Sequence, residues 1–201
     1  MQFPSFFVEQ NALSIYSSVA GIDEVGRGCL SGPVVAGIVV LTNEDTYIHG
    51  VRDSKQLTAL RREQLSELIK SSVTGYAVGM ASPEEIDTEG IVHATYKAML
   101  RAYWNLQIQP EVIMMDGEKT TKPIFDRTYQ YTKGDTLYYS IAAASIIAKV
   151  YRDQLMNEYA LQYPEYDFEN NKGYGTNKHI AALKQFGATP IHRKTFLKFL
   201  S

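Results

Sequence analysis

The sequence predicts an α/β fold, a mixed β-sheet with helices packed against it. Three observations carry this. Two β-rich runs, residues 19–25 and 33–41, are joined by the turn GRGCLSGP, which is too short for a helical crossover and so implies an antiparallel pair. Later apolar runs of strand length alternate with segments of helical periodicity, which brings strands in by crossover. The chain has 201 residues, 45% of them hydrophobic, enough to bury the core of one such domain.

The elements follow in order. After the paired strands, a helix is expected near 58–71, with Thr58 as its cap and Leu60, Leu65, Leu68 and Ile69 on one face. Residues 73–80 read as a third strand. Ser82-Pro83-Glu84-Glu85 has the form of a capping box with proline at the first helical position. A long helix, roughly Ile91 to Leu106, comes next, with Trp104 expected in the core. Glu111-Val-Ile-Met-Met115 reads as a short buried strand ending on Asp116-Gly117, and residues 127–132 as a fifth strand. A helix is expected from about Leu137 to Tyr159. Its Ala142, Ala143, Ala144 and Ser145 are small enough for close packing on the sheet. The tail holds a GYGT turn and a helix from about Asn177 to Phe186, stopped at Gly187. The order β-β-α-β-α-α-β-β-α describes a mixed sheet flanked by helices, with a helical C-terminal extension.

Composition excludes several classes. The single cysteine, Cys29, rules out an intrachain disulfide and a cysteine zinc cage, and fits a reducing compartment. No segment approaches the ~20 apolar residues of a membrane span, and the N-terminus lacks the basic and long apolar regions of a secretion signal. A cytoplasmic monomer is expected. The net charge is −2, but its distribution is uneven: the last 32 residues hold six of the 20 Lys and Arg and none of the 22 Asp and Glu. Such a tail suits an anionic partner, and equally a solvated helical end.

Four acids share a position in the pattern. Asp23 and Glu24 close the first strand, Asp116 closes the run VIMM, and Asp135 follows the fifth strand. Sites in α/β sheets gather beyond the carboxyl ends of strands. Each acid alone reads equally as a cap or a turn residue. Gathered together they would repel one another unless a cation offsets them, and all-oxygen ligands suit Mg²⁺ or Mn²⁺. Adjacent strand residues point to opposite faces, so Asp23 and Glu24 are expected to share a site only where the strand ends and Gly26 and Gly28 let the chain turn.

The stretch GIDEVGRGCLSGPVVAG resembles the signature of ribonuclease HII, the type 2 ribonuclease H. Further blocks match in the same order: Asp53-Ser54-Lys55, MMDG at 114–117, KGD at 133–135, AAASIIAKVYRD at 142–153, GYGTNKH at 173–179 and GATPIHRKTF at 187–196. The family often reads GRGP where this chain has Gly28-Cys29. The resemblance implies a ribonuclease H-like fold with a five-stranded mixed sheet. It implies an endonuclease that hydrolyses the RNA strand of RNA–DNA hybrids and incises 5′ to a single ribonucleotide in duplex DNA, leaving 3′-hydroxyl and 5′-phosphate ends. Carried over residue by residue, Asp23, Glu24, Asp116 and Asp135 would bind two Mg²⁺ or Mn²⁺ ions when substrate is present. Asp153 is a rival for the fourth place. Gly26, Arg27, Gly28 and Tyr174 would read the ribose, Lys55 and Arg27 would hold phosphates, and residues from about 160 to 201 would lie along the duplex. His179 and His192 would be phosphate-side or structural, and Lys149 would face either the duplex or the acids. A phosphatase of small substrates would not need the basic tail. A silent binding module would gain nothing from four acids that repel phosphate.

Overall fold

A five-stranded mixed sheet in the order β3-β2-β1-β4-β5 forms the centre of the molecule. The computed structural model describes residues 4–117 and 125–200. Helix α1 (Phe7–Leu13) precedes β1 (Val19–Val25) and β2 (Val34–Leu41). Next come α2 (Ala59–Ser72), β3 (Gly75–Ala81), α3 (Pro83–Glu89), α4 (Ile91–Trp104), β4 (Val112–Asp116) and β5 (Thr128–Tyr131). Then follow the short α5 (Gly134–Leu137), the long α6 (Tyr139–Gln162), α7 (Phe168–Asn171) and α8 (Asn177–Phe186). β1 and β3 flank β2 in antiparallel pairing, while β4 joins β1, and β5 joins β4, in parallel. The expected hairpin and crossovers are both present.

The sheet is covered on both faces, which is why β2 reads as an unbroken apolar run and is buried along its whole length. On one face, Ala20, Ile22, Ile113 and Met115 pack against Ala94, Ala98 and Met99 of α4. On the other, Val39 and Leu41 pack with Leu65 and Ile69 of α2 and with Ala142, Ala143 and Ile146 of α6. Helix α6 comes unusually close. A Cβ at Gly21 would overlap the Ser140 backbone, and one at Gly37 would lie 2.6 Å from the Ala144 carbonyl oxygen. The small residues of α6 and these two glycines together draw its first turns against the centre of the sheet.

Three sequence expectations are corrected. Leu60 and Leu68 do not share the buried face of α2, whose contact stripe is Leu65, Ser66 and Ile69. Trp104 is exposed, because it falls off the Ala94–Ala98–Ala102 stripe by which α4 meets the sheet. The helix expected from Leu137 is broken at Tyr138 into α5 and α6. Helix α1 was not foreseen, since seven residues carry too little periodicity. Its anchor is the buried Glu9, whose Oε1 accepts 2.8 Å hydrogen bonds from the Ser140 N–H and hydroxyl. Glu9 thereby satisfies a donor at the open end of α6 from 131 residues away in sequence.

The C-terminal segment has its own small core of Met156, Tyr166, Phe168, Leu183 and Ile191, seated on the far end of α6. From there the chain returns to the loop between β1 and β2. Leu30 N–H donates to Gly173 O at 2.8 Å, Gly32 N–H to Ile191 O at 2.8 Å, and Arg193 N–H to Leu30 O at 2.9 Å.

Candidate active site

The acids meet where β1 and β4 part. Their parallel pairing ends at Ile22 opposite Met115, while β1 runs on to Val25 paired only with β2. Asp23 and Glu24 therefore lie in the last residues of the strand, within the run 19–25 that the sequence predicts; what ends beside them is the pairing on one side. Alternation still turns them to opposite faces. Glu24 borders a cleft of about 550 Å³ shared with Arg27, Thr95, Met99, Asp116 and Lys133. Asp23 shares its face with Gly21, against α6. Asp116 is the last residue of β4. Its Oδ1 accepts a 2.6 Å bond from the Gly134 N–H, which ties it to the turn carrying Asp135.

The electrostatics mark these four as one cluster. Burial, then Glu24, Asp116 and Asp135 in turn, raise Asp23 well above the ordinary carboxylate range. Burial also raises Glu24, with Asp116 adding to it and Arg27 opposing. Asp135 is raised by burial and by Asp116 and Asp53, against Lys55. Two cations offset the charge at its rim: Arg27 reaches Glu24 at 3.4 Å and Lys55 reaches Asp135 at 3.7 Å. Partial burial works against the Lys55 charge, but Asp135, Asp53, Asp23 and Asp116 outweigh it and raise its pKa. Each carboxylate has one oxygen engaged by protein, Asp23 through the Glu24 N–H at 2.7 Å. As the side chains stand, no three acid, histidine or cysteine groups among the described residues close on a single point.

Asp153 is not part of this cluster. It pairs with Lys149 at 2.6 Å and with Arg62 at 3.2 Å, which accounts for both residues left open by the sequence. Asp53 accepts from the Lys55 N–H at 2.9 Å and so fixes the turn that presents Lys55.

Beside the acids, the Gly26-Arg27-Gly28 loop is held by two fully buried arginines. Arg193 donates to Gly26 O at 2.7 Å, to Arg27 O at 2.9 Å and twice to Gly32 O, at 2.8 and 2.9 Å. Arg152 donates to Pro33 O and Ser31 O at 3.0 Å and to Lys172 O at 2.8 Å. Sequence reasoning missed both, and it had counted Arg193 among the tail's charges toward a duplex. It cannot serve there, because its fork is spent on loop carbonyls. Tyr174 is half-exposed, and burial of its hydroxyl end beside Cys29 raises its pKa. His179 and His192 are buried and hydrogen-bonded to each other at 3.0 Å, so the phosphate-side alternative falls and they are interior groups.

The ribonuclease HII family model matches residues 20–199. The chain belongs to the ribonuclease HII family. It is 49% identical to the ribonuclease HII of Clostridium beijerinckii over 185 residues, 90% of this chain and 68% of that protein. It is 46% identical to that of the Wolbachia of Brugia malayi over 201 residues, 100% of this chain and 97% of that one. Among solved structures, the ribonuclease H2 of Pyrococcus horikoshii OT3 superposes with a TM-score of 0.77 at 30% identity, covering 91% of this chain and 96% of that one. The ribonuclease H-like fold expected from the sequence is thus present. The ribonuclease HII match takes in the four acids, the glycine loop, Lys55 and Tyr174, and leaves α1 with its Glu9 outside. No helix among the described residues is long and apolar enough to cross a membrane.

Proposed function

We propose that this chain is a metal-dependent endoribonuclease that hydrolyses the RNA strand of RNA–DNA hybrids and incises 5′ to single ribonucleotides in duplex DNA. The observation that carries the reading is the gathering of Asp23, Glu24, Asp116 and Asp135 at the parting of β1 and β4, with Asp23 buried and raised by the other three. A fold does not keep such repulsion without a use for it. The donors are all oxygen, which fits Mg²⁺ or Mn²⁺. These four residues would hold two such ions, which in phosphodiester hydrolysis supply an activated water and neutralise charge on the attacking and leaving oxygens.

The remaining steps belong to the chain's own residues. Arg27 and Lys55, exposed at the rim, would hold backbone phosphates and yield their present carboxylates to the cations. The backbone of Gly26 and Gly28 approaches the ribose, whose 2′-hydroxyl both donates and accepts. Tyr174 packs on the sugar that follows, which favours a deoxynucleotide there and so an RNA-to-DNA junction. Lys178, Lys184 and Lys194 of the C-terminal segment are exposed and would face the duplex backbone. The reading carries with it a cytoplasmic monomer acting in ribonucleotide removal from DNA.

The test is cleavage of a DNA duplex holding one ribonucleotide, with Mg²⁺, Mn²⁺ or chelator. A metal-dependent cut on the 5′ side, leaving 3′-hydroxyl and 5′-phosphate ends, is expected. Asp116→Asn should lower the rate by roughly 100-fold or more while the protein stays folded. Cleavage of continuous hybrid alone would overturn the junction reading. Duplex binding with no metal-dependent cleavage of either substrate would replace it with a binding module.

A further inference from the structure

A buried chain of hydrogen bonds runs from the C-terminal segment to the backbone of Tyr174, and its direction is fixed. A carbonyl can only accept, so the 2.9 Å contact between His179 Nδ1 and Tyr174 O puts a proton on that Nδ1. In a neutral ring, His179 Nε2 is then an acceptor. It lies 3.0 Å from His192 Nε2, which must donate. His192 Nδ1 in turn is an acceptor, and it meets the Thr189 N–H at 2.9 Å and the Thr189 hydroxyl at 2.8 Å. Every ring nitrogen has a partner of the opposite kind, and only one arrangement of protons achieves this.

The surroundings favour that neutral state. Tyr166 and Phe168 stand against both rings. The Tyr166 hydroxyl points away, donating to Gly187 O at 2.7 Å. Arg193, next in the chain, is directed into the glycine loop. Among the described residues, the charged-group influence on the pair is that of His179 on His192, and Tyr166 is a titratable neighbour of both rings. Burial lowers His179, and burial and then His179 lower His192 to about 4. Tyr174 O also accepts from the Thr176 N–H at 2.8 Å, so two donors converge on this one carbonyl. His192, for its part, sits on the segment that bridges to Ser31 in the glycine loop.

We propose that His179 and His192 are positioning residues for ribonucleotide selection: as a neutral pair of fixed tautomer they hold the Tyr174 backbone in register with the Gly26–Gly28 loop. This rests on the reading of Tyr174 and that loop as the ribose-recognising elements. Either ring gaining a second ring proton turns an acceptor into a donor and sets two N–H groups against each other or against the Thr189 N–H, which strains the chain of bonds that ends on Tyr174 O.

The experiment pairs a spectroscopic signature with a selectivity ratio. Two-bond ¹H–¹⁵N spectra of the folded enzyme at pH 7 should show His179 neutral with its proton on Nδ1 and His192 neutral with its proton on Nε2. A charged ring or the opposite tautomers would overturn the proposal. His179→Leu should lower kcat/KM on the single-ribonucleotide duplex at least tenfold, chiefly through KM, and affect continuous hybrid less. His179→Asn, which returns a donor near the Nδ1 position, should recover most of the ratio. A parallel loss on both substrates in His179→Leu, unrepaired in His179→Asn, would assign the pair to folding alone and overturn the proposal. Tyr174→Ala separates the two layers. If it leaves the ribonucleotide preference intact, the ribose reading itself fails; if it abolishes the preference while His179→Leu keeps it, only the positioning role fails.

Discussion

The two glycines of the loop look equivalent in sequence and are not equivalent in space. Gly26 has φ +92°, and a Cβ there would overlap the Arg152 guanidinium. Gly28 has no positive φ and nothing within 4 Å of where a Cβ would stand. Gly26→Ala should therefore destabilise the fold by roughly 2–4 kcal/mol through backbone strain and displacement of Arg152. Gly28→Ala should leave the melting temperature within about 2 °C of wild type. If the open space over Gly28 is where ribose sits, Gly28→Ala will nonetheless lower cleavage at a single ribonucleotide by tenfold or more. A folded Gly28→Ala enzyme of full activity would remove that glycine from the site. This distinction was not legible in the sequence, where both positions are simply glycines in a turn. That Asp23, Glu24 and Asp116 stand at or near the ends of apolar strands was legible, because each closes an apolar run; taken singly, none is distinguished by the sequence from a cap or a turn residue.

Among the elements, the strands and long helices declared themselves by period and caps. The Ser82 capping box forms as read, with Glu85 and Ser82 exchanging bonds of 2.9 and 3.2 Å. The supports of the glycine loop did not declare themselves. Arg152 stands in a helix of mixed polarity and Arg193 in a basic tail, and charge in such places ordinarily means solvent. What buries them is a set of turn carbonyls with no strand or helix partner of their own, supplied only when three distant segments meet. Arg193 donates four bonds to that loop, and a lysine ammonium cannot span the same fork. Arg193→Lys is expected to cost about 3 kcal/mol or more, a fall of roughly 6–12 °C in melting temperature. The exposed Arg27→Lys should melt close to wild type. Thermal unfolding of the two side by side is the check, and an Arg193→Lys protein as stable as wild type would mean that the loop holds itself.

At the scale of the whole molecule, the four acids are a liability that the rest of the fold carries, and on the proposed reading a bound cation relieves it. Close packing of α6 through Gly21 and Gly37 buries Asp23 beside three other acids, and the cost appears as its raised pKa. The sign of the linkage follows. The folded protein binds the Asp23 proton more tightly than the unfolded chain, so the stability associated with that proton is complete below the unfolded value and is lost as pH rises through the folded one. In metal-free protein, Asp23→Asn removes the charge while its Oδ1 can still accept the Glu24 N–H. The variant should therefore be more stable than wild type at pH 8, on the order of 1 kcal/mol or more, with the difference shrinking toward pH 4. Mg²⁺ should reverse the order. A ligand that binds only the folded state at 100 times its Kd adds about 2.7 kcal/mol, a gain open to wild type and largely closed to the variant. Melting curves of both proteins, with chelator and with Mg²⁺, at pH 4, 6 and 8, test both orders of stability. A variant less stable than wild type in chelator at pH 8 would mean that the acids support the fold and are not held against it, and the case for a cation drawn from their repulsion would fall with it.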